Sequence, residues 1–161
     1  MLNQLCKSKP SHKFTLQLAF QDIFKTIQDY SNAKLTNLAA LFSNILLFDA
    51  GMATLTSDLL QNFVLSMSIL KIIDFTQIDP QTEFFLTQFL VIFLVTASDE
   101  VFAACIARIG SGMEKMPVRD GLMVFLKSTL KPKVEDKPAL KSKVKKMIKY
   151  LDRLGSLDYD Q

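Results

Sequence analysis

Apolar residues recur along this chain at three- and four-residue steps. That is the period of amphipathic helices, not of half-buried strands. Between Phe14 and Tyr30, one face carries Leu16, Phe20, Ile23, Phe24 and Ile27, with Lys25, Gln28 and Asp29 off it, which predicts a first helix. Ser31-Asn32 break the pattern and can cap a second helix over about Ala33 to Phe48, with Leu35, Leu38, Leu41, Phe42, Ile45 and Leu46 inside. Asp49-Ala50-Gly51 has the chemistry of a turn. Thr56-Ser57-Asp58 then offers an N-cap for Leu59 to Phe75, where Leu59, Phe63, Met67, Leu70 and Asp74 trace one helical line. A short strand over Ser68 to Phe75 is the rival reading. Helix is preferred because Lys71 and Asp74, three residues apart, would then share one wet face.

Asp79-Pro80 is a sharp start signal, because Asp is a favoured N-cap and Pro suits the first helical position. The helix that it opens is expected to reach about Ala97. Ser98-Asp99-Glu100 caps Val101 to Ile109, closed by Gly110 and Gly112, and Pro117 opens a helix to Leu130. Lys131-Pro132-Lys133 reads as a linker. A last helix runs from Ala139 to Leu154 on an apolar line of Leu140, Val144, Met147, Ile148, Leu151 and Leu154, and Gly155 suits its left-handed C-cap. There is no strand-turn-strand pattern, no Gly-rich loop and no fixed repeat. The expected fold is all-α, with antiparallel helical hairpins packed as a short, HEAT-like α-solenoid.

A chain of 161 residues with 49% hydrophobic and 22% charged residues fits one globular domain and is too apolar to be disordered. Thirteen Phe and no Trp point to a Phe-rich core. The longest apolar run, Phe84 to Ala97, is interrupted by Thr87 and Gln88 and is too short to span a bilayer, so it predicts a buried helix and no membrane partner. The N-terminal MLNQLCKSKPSHK lacks the apolar core of a secretory signal. Cys6 and Cys105 are far apart with no metal or redox spacing, so reduced thiols are expected.

Candidate chemistry is sparse. His12, the single histidine, lies in a polar segment and is expected at the surface. Cys105 has no predictable partner for nucleophilic catalysis, and no phosphate-cradling glycine motif occurs. Asp99-Glu100 sit where carboxylates complement a helix dipole, which is a sufficient reason for them without a metal. No enzyme, catalytic residue, cofactor, metal or small-molecule substrate is therefore expected. Three surface features remain. The acidic turn in IIDFTQIDPQTE carries Asp74, Asp79 and Glu83, as capping groups or as a contact for a basic partner. Although net charge is only +3, Lys is concentrated from Lys127 to Lys149. Lys141, Lys143, Lys145, Lys146 and Lys149 are candidates for RNA-phosphate contact, against the alternative of a solvated helix face. Gly121, inside RDGLMVFL, is unfavourable in a helix and suggests close helix-helix approach.

Four stretches carry a family resemblance: KFTLQLAFQDIF (Lys13 to Phe24), KLTNLAALFSNILL (Lys34 to Leu47), LSMSILKIIDFTQIDPQTEFFLTQFL (Leu65 to Leu90) and ARIGSGMEKMPVRDGLMVFLKSTL (Ala107 to Leu130). The chain resembles the MA-3 domain family. Within it, the similarity is to the C-terminal domain of nucleolar proteins that carry a middle domain of initiation factor 4G and assemble the small ribosomal subunit. The resemblance implies an N-terminal extension over 1–12, an MA-3 domain over 13–131 with an insertion at 49–64, and a basic C-terminal helix and tail over 132–161. It also implies a non-enzymatic scaffold in the nucleus and nucleolus. Such a scaffold would act in small-subunit (18S) rRNA processing and preribosome assembly, docking a DEAD-box RNA helicase of the initiation-factor-4A type beside preribosomal proteins and pre-rRNA. Ile78-Asp79-Pro80 falls on the family's helicase-contacting motif, which carries the role to Asp79, with Asp74 and Glu83 added by proximity. Gln81 departs from that motif, where a basic residue often stands. Larger family proteins carry a middle domain before this module and the given sequence carries none, so a fragment or a reduced protein is expected; if the middle domain is absent, anchoring within a preribosome is expected over a two-site grip on the helicase. A splicing scaffold with a similar domain and a basic RNA-binding helical protein are the alternatives.

Overall fold

The computed structural model describes residues 10–32, 38–109 and 116–156. Every regular element among them is helical, and no strand occurs among the described residues, so the fold class is all-α. The described residues fall into two compact units, those within 1–65 and 78–93 and those within 66–77 and 94–161.

In the first unit, α1 spans Pro10–Asn32 and α2 spans Leu38–Gln61. Ala33, the expected start of the second helix, lies outside the described residues. The expected turn at Asp49-Ala50-Gly51 and the expected cap at Thr56-Ser57-Asp58 are both inside α2. The hydroxyl-bearing residues find their partners within the helix: Thr54 and Thr56 Oγ1 donate to the carbonyls of Ala50 and Met52 at 3.0 and 2.6 Å, and Gln61 Nε2 donates to Ser57 Oγ at 3.0 Å. Satisfied in this way, they do not interrupt the helix. α2 ends in a Schellman motif. Val64 N–H donates to Leu59 O at 2.9 Å, Phe63 N–H donates to Leu60 O at 3.0 Å, and Phe63 takes the left-handed position at φ 57°. Buried Leu59 and Val64 supply the apolar pair that accompanies this closure. The expected helix over Leu59 to Phe75 is therefore wrong: α2 stops at Gln61 and the chain turns on Phe63.

α3, Pro80–Thr96, contributes its first four turns to the first unit. Phe85, Phe89 and Phe93 recur every fourth residue and are fully buried, with rings stacked at centroid distances of 6.0 and 6.3 Å. These are the expected Phe-rich core. Among the described residues, no helix is long and apolar enough to cross a membrane.

The second unit opens with the 3₁₀ helix Met67–Ile72, capped by Ser66, whose Oγ accepts from Ser68 N–H at 3.3 Å. Met67, Ile69 and Leu70 are buried while Lys71 is exposed, so Lys71 is a solvated edge as expected. α4 spans Asp99–Ala107, with Ser98 Oγ accepting from Val101 N–H at 3.3 Å. The glycines expected to close this helix, Gly110 and Gly112, lie outside the described residues. α5 spans Met116–Phe125 and is followed by a π segment, Leu126–Leu130, and a helical turn, Lys131–Lys133. The expected Lys131-Pro132-Lys133 linker is thus helical. A proline strikes the carbonyl four residues back in a regular α-helix, and here the widened π turns directly precede it, with Lys131 N–H donating to Leu126 O.

α6 spans Pro138–Ser156 and buries Leu140, Val144, Met147 and Leu151, a line at four- and three-residue steps. It packs on α4, on α5 and on the π segment, so that α5 and α6 form a helical hairpin within this unit. Gly155 is not a C-cap. It lies inside α6, where a Cβ would stand 3.5 Å from Cζ of buried Arg119.

Candidate functional site

Two groups of polar residues were singled out above. The acidic residues belong to different units, Asp74 to the second and Asp79 and Glu83 to the first.

Asp79 is a full N-cap for α3. Its Oδ1 accepts from the N–H groups of Gln81 and Thr82, both at 3.0 Å, and its Oδ2 accepts from Thr82 Oγ1 at 2.5 Å. Its carbonyl takes the first helical bond, from Glu83 N–H at 2.9 Å. Glu83 follows in the first turn, partly exposed, where its charge suits the helix dipole. Asp79 is itself only partly exposed, so much of its carboxylate is committed to the helix that it starts.

Asp74 is exposed and builds a local turn of its own. Its Oδ1 accepts from Thr76 Oγ1 at 2.6 Å and from Thr76 N–H at 2.9 Å, and its carbonyl accepts from Gln77 N–H at 3.2 Å. The Thr76 hydroxyl, then its amide, hold the Asp74 carboxyl below the ordinary carboxylate range. The next residue, Phe75, presses on α5: a Cβ on Gly121 would lie 2.3 Å from Phe75 Cδ2 and 2.7 Å from Phe75 Cβ. Close approach at Gly121 was expected between helices. It is made instead to the aromatic ring of a turn, which no helical periodicity could have located.

The basic surface is α6. Its lysines are not equivalent. Lys146 Nζ pairs with Asp99 Oδ1 at 2.9 Å and stands 5.8 Å from the Phe102 ring centroid, with Tyr150 edge-on to that ring. The Lys146 hydrogen bond, then its charge, lower the Asp99 pKa. Lys141 pairs with Glu135, whose carboxyl is lowered for the same reason. Lys143, partly exposed, lines a shallow depression with Asp99 and Phe102. Lys145 and Lys149 are exposed, as is Arg153, which the lysine pattern missed because it lies beyond the lysine run. Elsewhere, Cys105 is a buried thiol whose pKa burial pushes up to about 11. Among the described residues, no group of three or more His, Cys, Asp or Glu could hold a metal ion.

The similarity is to a nucleolar protein. Over 126 residues, 78% of this chain, it is 22% identical to nucleolar MIF4G domain-containing protein 1 of Mus musculus. It is 27% identical to the protein of the same name from Homo sapiens, also over 126 residues. The matched stretch makes up 13% of either relative, so the chain spans a small part of their length. No protein-family model matches the chain, and no solved structure matches it.

Proposed function

We propose that this chain is a non-enzymatic helical scaffold module acting in the nucleolus, in small-subunit rRNA processing and preribosome assembly. The similarity over 126 residues to a protein named nucleolar, joined to an all-α fold, is the observation that carries this reading. A DEAD-box helicase of the initiation-factor-4A type is its proposed partner, docked through Asp74, Asp79 and Glu83, beside preribosomal proteins. Exposed Asp74 is the residue of the three best placed to meet a basic partner surface. Asp79 contributes by holding the start of α3, and its charge is shared with the helix that it caps.

The capping geometry decides how the proposal is tested. Asp79→Lys removes a charge and a cap together, so lost binding would be ambiguous. Asp79→Asn keeps the cap and drops the charge. Asp74→Lys reverses an exposed charge. In a pull-down titration against the purified helicase, the pair Asp74→Lys with Asp79→Asn is expected to weaken binding at least tenfold, with helicity unchanged. Native-like affinity in that variant overturns the acidic-turn contact. The RNA that co-purifies with the chain separates the readings: small-subunit precursor supports ribosome assembly, and spliceosomal RNAs point to the splicing alternative.

A further inference from the structure

The ion pairs on α6 divide its cations into two sets. Lys141 is tied to Glu135 and Lys146 to Asp99, so part of their charge is neutralised locally. Lys145, Lys149 and Arg153 are exposed, four residues apart in succession, and none has a carboxylate within ion-pair distance among the described residues, though Glu135 feels the charge of Lys145 at longer range. Asp152 follows Lys149 by one turn without pairing to it. The line lies opposite the buried stripe of Leu140, Val144, Met147 and Leu151. At about 1.5 Å of rise per residue the three cations stand about 6 Å apart and span about 12 Å, near the spacing of neighbouring phosphates along an RNA strand.

We propose that Lys145, Lys149 and Arg153 form a sequence-independent contact for the phosphate backbone of RNA. A polyanion is favoured over an acidic protein surface because a protein partner binds through buried aromatic and aliphatic anchors. The other exposed residues of α6 are Pro138, Ala139, Ser142, Asp152 and Ser156, and none is a large apolar anchor. Backbone contact needs only mobile cations, and no aromatic on this line offers a base a stacking surface. Charge beyond α6 has the same sign. Lys127 and Lys131 are exposed on the segment that packs against α6. The choice of RNA over DNA rests on the nucleolar reading above.

The test is fluorescence anisotropy of the full chain, without helicase, against a mixed-sequence RNA of about 20 nucleotides from about 50 to 200 mM salt. Each phosphate contact to a single strand adds about 0.7 to the slope of log affinity against log salt. Replacing Lys145, Lys149 and Arg153 by Gln is therefore expected to lower the slope by about 2 and to cut low-salt affinity more than tenfold. Lys141→Gln with Lys146→Gln, which removes two paired cations, is expected to change affinity less than threefold. Circular dichroism checks that both variants fold. No binding at about 50 mM salt overturns the proposal, as does equal loss from the two sets. Tighter binding to polyglutamate would assign the line to an acidic protein, and tighter binding to duplex DNA would remove RNA as the occupant. Because no helicase is present, each result stands apart from the docking test.

Discussion

Gly121→Ala is the substitution on which the packing of the second unit can be judged. Two effects oppose each other. Ala is better than Gly inside a helix by about 1 kcal/mol, so in open space the change would stabilise. At Gly121 there is no open space: the added methyl would stand 2.3 Å from Phe75 Cδ2, 2.4 Å from Cγ and 2.7 Å from Cβ. Rotating the ring relieves the first two contacts but not the third, since Phe75 Cβ moves only with its backbone. The turn itself must shift. Inserting a methyl into packed surroundings costs roughly 1–3 kcal/mol, and this site lies toward the upper end because backbone must give. The net expectation is a loss of about 1–2 kcal/mol. With a urea m-value of about 2 kcal/mol per molar, the unfolding midpoint falls by roughly 0.5–1 M. Circular dichroism in urea measures it. A cycle with Phe75→Ala, which removes the ring and leaves its Cβ, is expected to recover about half of the loss. A Gly121→Ala midpoint at or above that of the parent would refute the argument, and strict additivity with Phe75→Ala would show that the ring is not the obstacle.

Gly51 supplies the opposite case: it is exposed inside α2, and no described residue comes within 4 Å of an added Cβ, so Gly51→Ala is expected to raise stability by about 1 kcal/mol in the same urea assay. Asp79→Ala is expected to cost about 1 kcal/mol by stripping the N-cap of α3, while Asp79→Asn changes the midpoint little; equal losses would mean that charge, not capping, matters there. Burial pushes the Cys105 thiol from 9.0 up to about 11, so the folded state holds the proton more tightly than the unfolded one. Its contribution is complete below about pH 9 and fades towards pH 11, which a urea series between those values should show beside a Cys105→Ala control lacking the fall. Lys146 holds the Asp99 carboxyl down, so carbon-13 NMR titration of Asp99 is expected to move upward in Lys146→Gln, and an unmoved titration would exclude the ion pair in solution.

The helical period was legible wherever apolar residues repeat at regular steps and a capping side chain stands at the start. Asp79-Pro80 and Ser98 behave as their chemistry suggests, and the buried line of α6 includes four of the six residues expected of it. Punctuation was harder to read. Gly51 looks like a turn but sits within a helix, because an isolated glycine weakens a helix by only about 1 kcal/mol and long apolar flanks override that. The true stop, at Phe63, carries a residue that rarely takes a positive φ, so no stop signal was visible there. The run from Met67 to Ile72 is helical as preferred over a strand, but is a separate 3₁₀ turn, since the register of its apolar residues cannot distinguish the two windings over six positions. The lysines of α6 were visible as a group. Which of them are neutralised depends on Glu135 and Asp99, one before α6 and one at the start of α4, and that pairing is tertiary.

The two most specific elements of the resemblance, LSMSILKIIDF and RDGLMVFL, are far apart in sequence yet meet in space. The 3₁₀ helix of the first packs on α5, which holds the second, and Phe75 closes over Gly121 at the end of that contact. A glycine in a helix is unfavourable unless something occupies the space that its side chain would need, and here the ring does. The same contact fixes the backbone directly after Asp74, whose carboxylate organises the turn through Thr76. Packing and candidate contact are thus coupled through one peptide unit. Displacing Phe75 by a methyl on Gly121 should disturb the presentation of Asp74 as well as stability. For the docking proposal this coupling has a measurable consequence. Gly121→Ala, assayed well below its unfolding midpoint, should weaken helicase binding without removing any charge, whereas a purely electrostatic contact indifferent to the shape of the turn would leave binding unchanged.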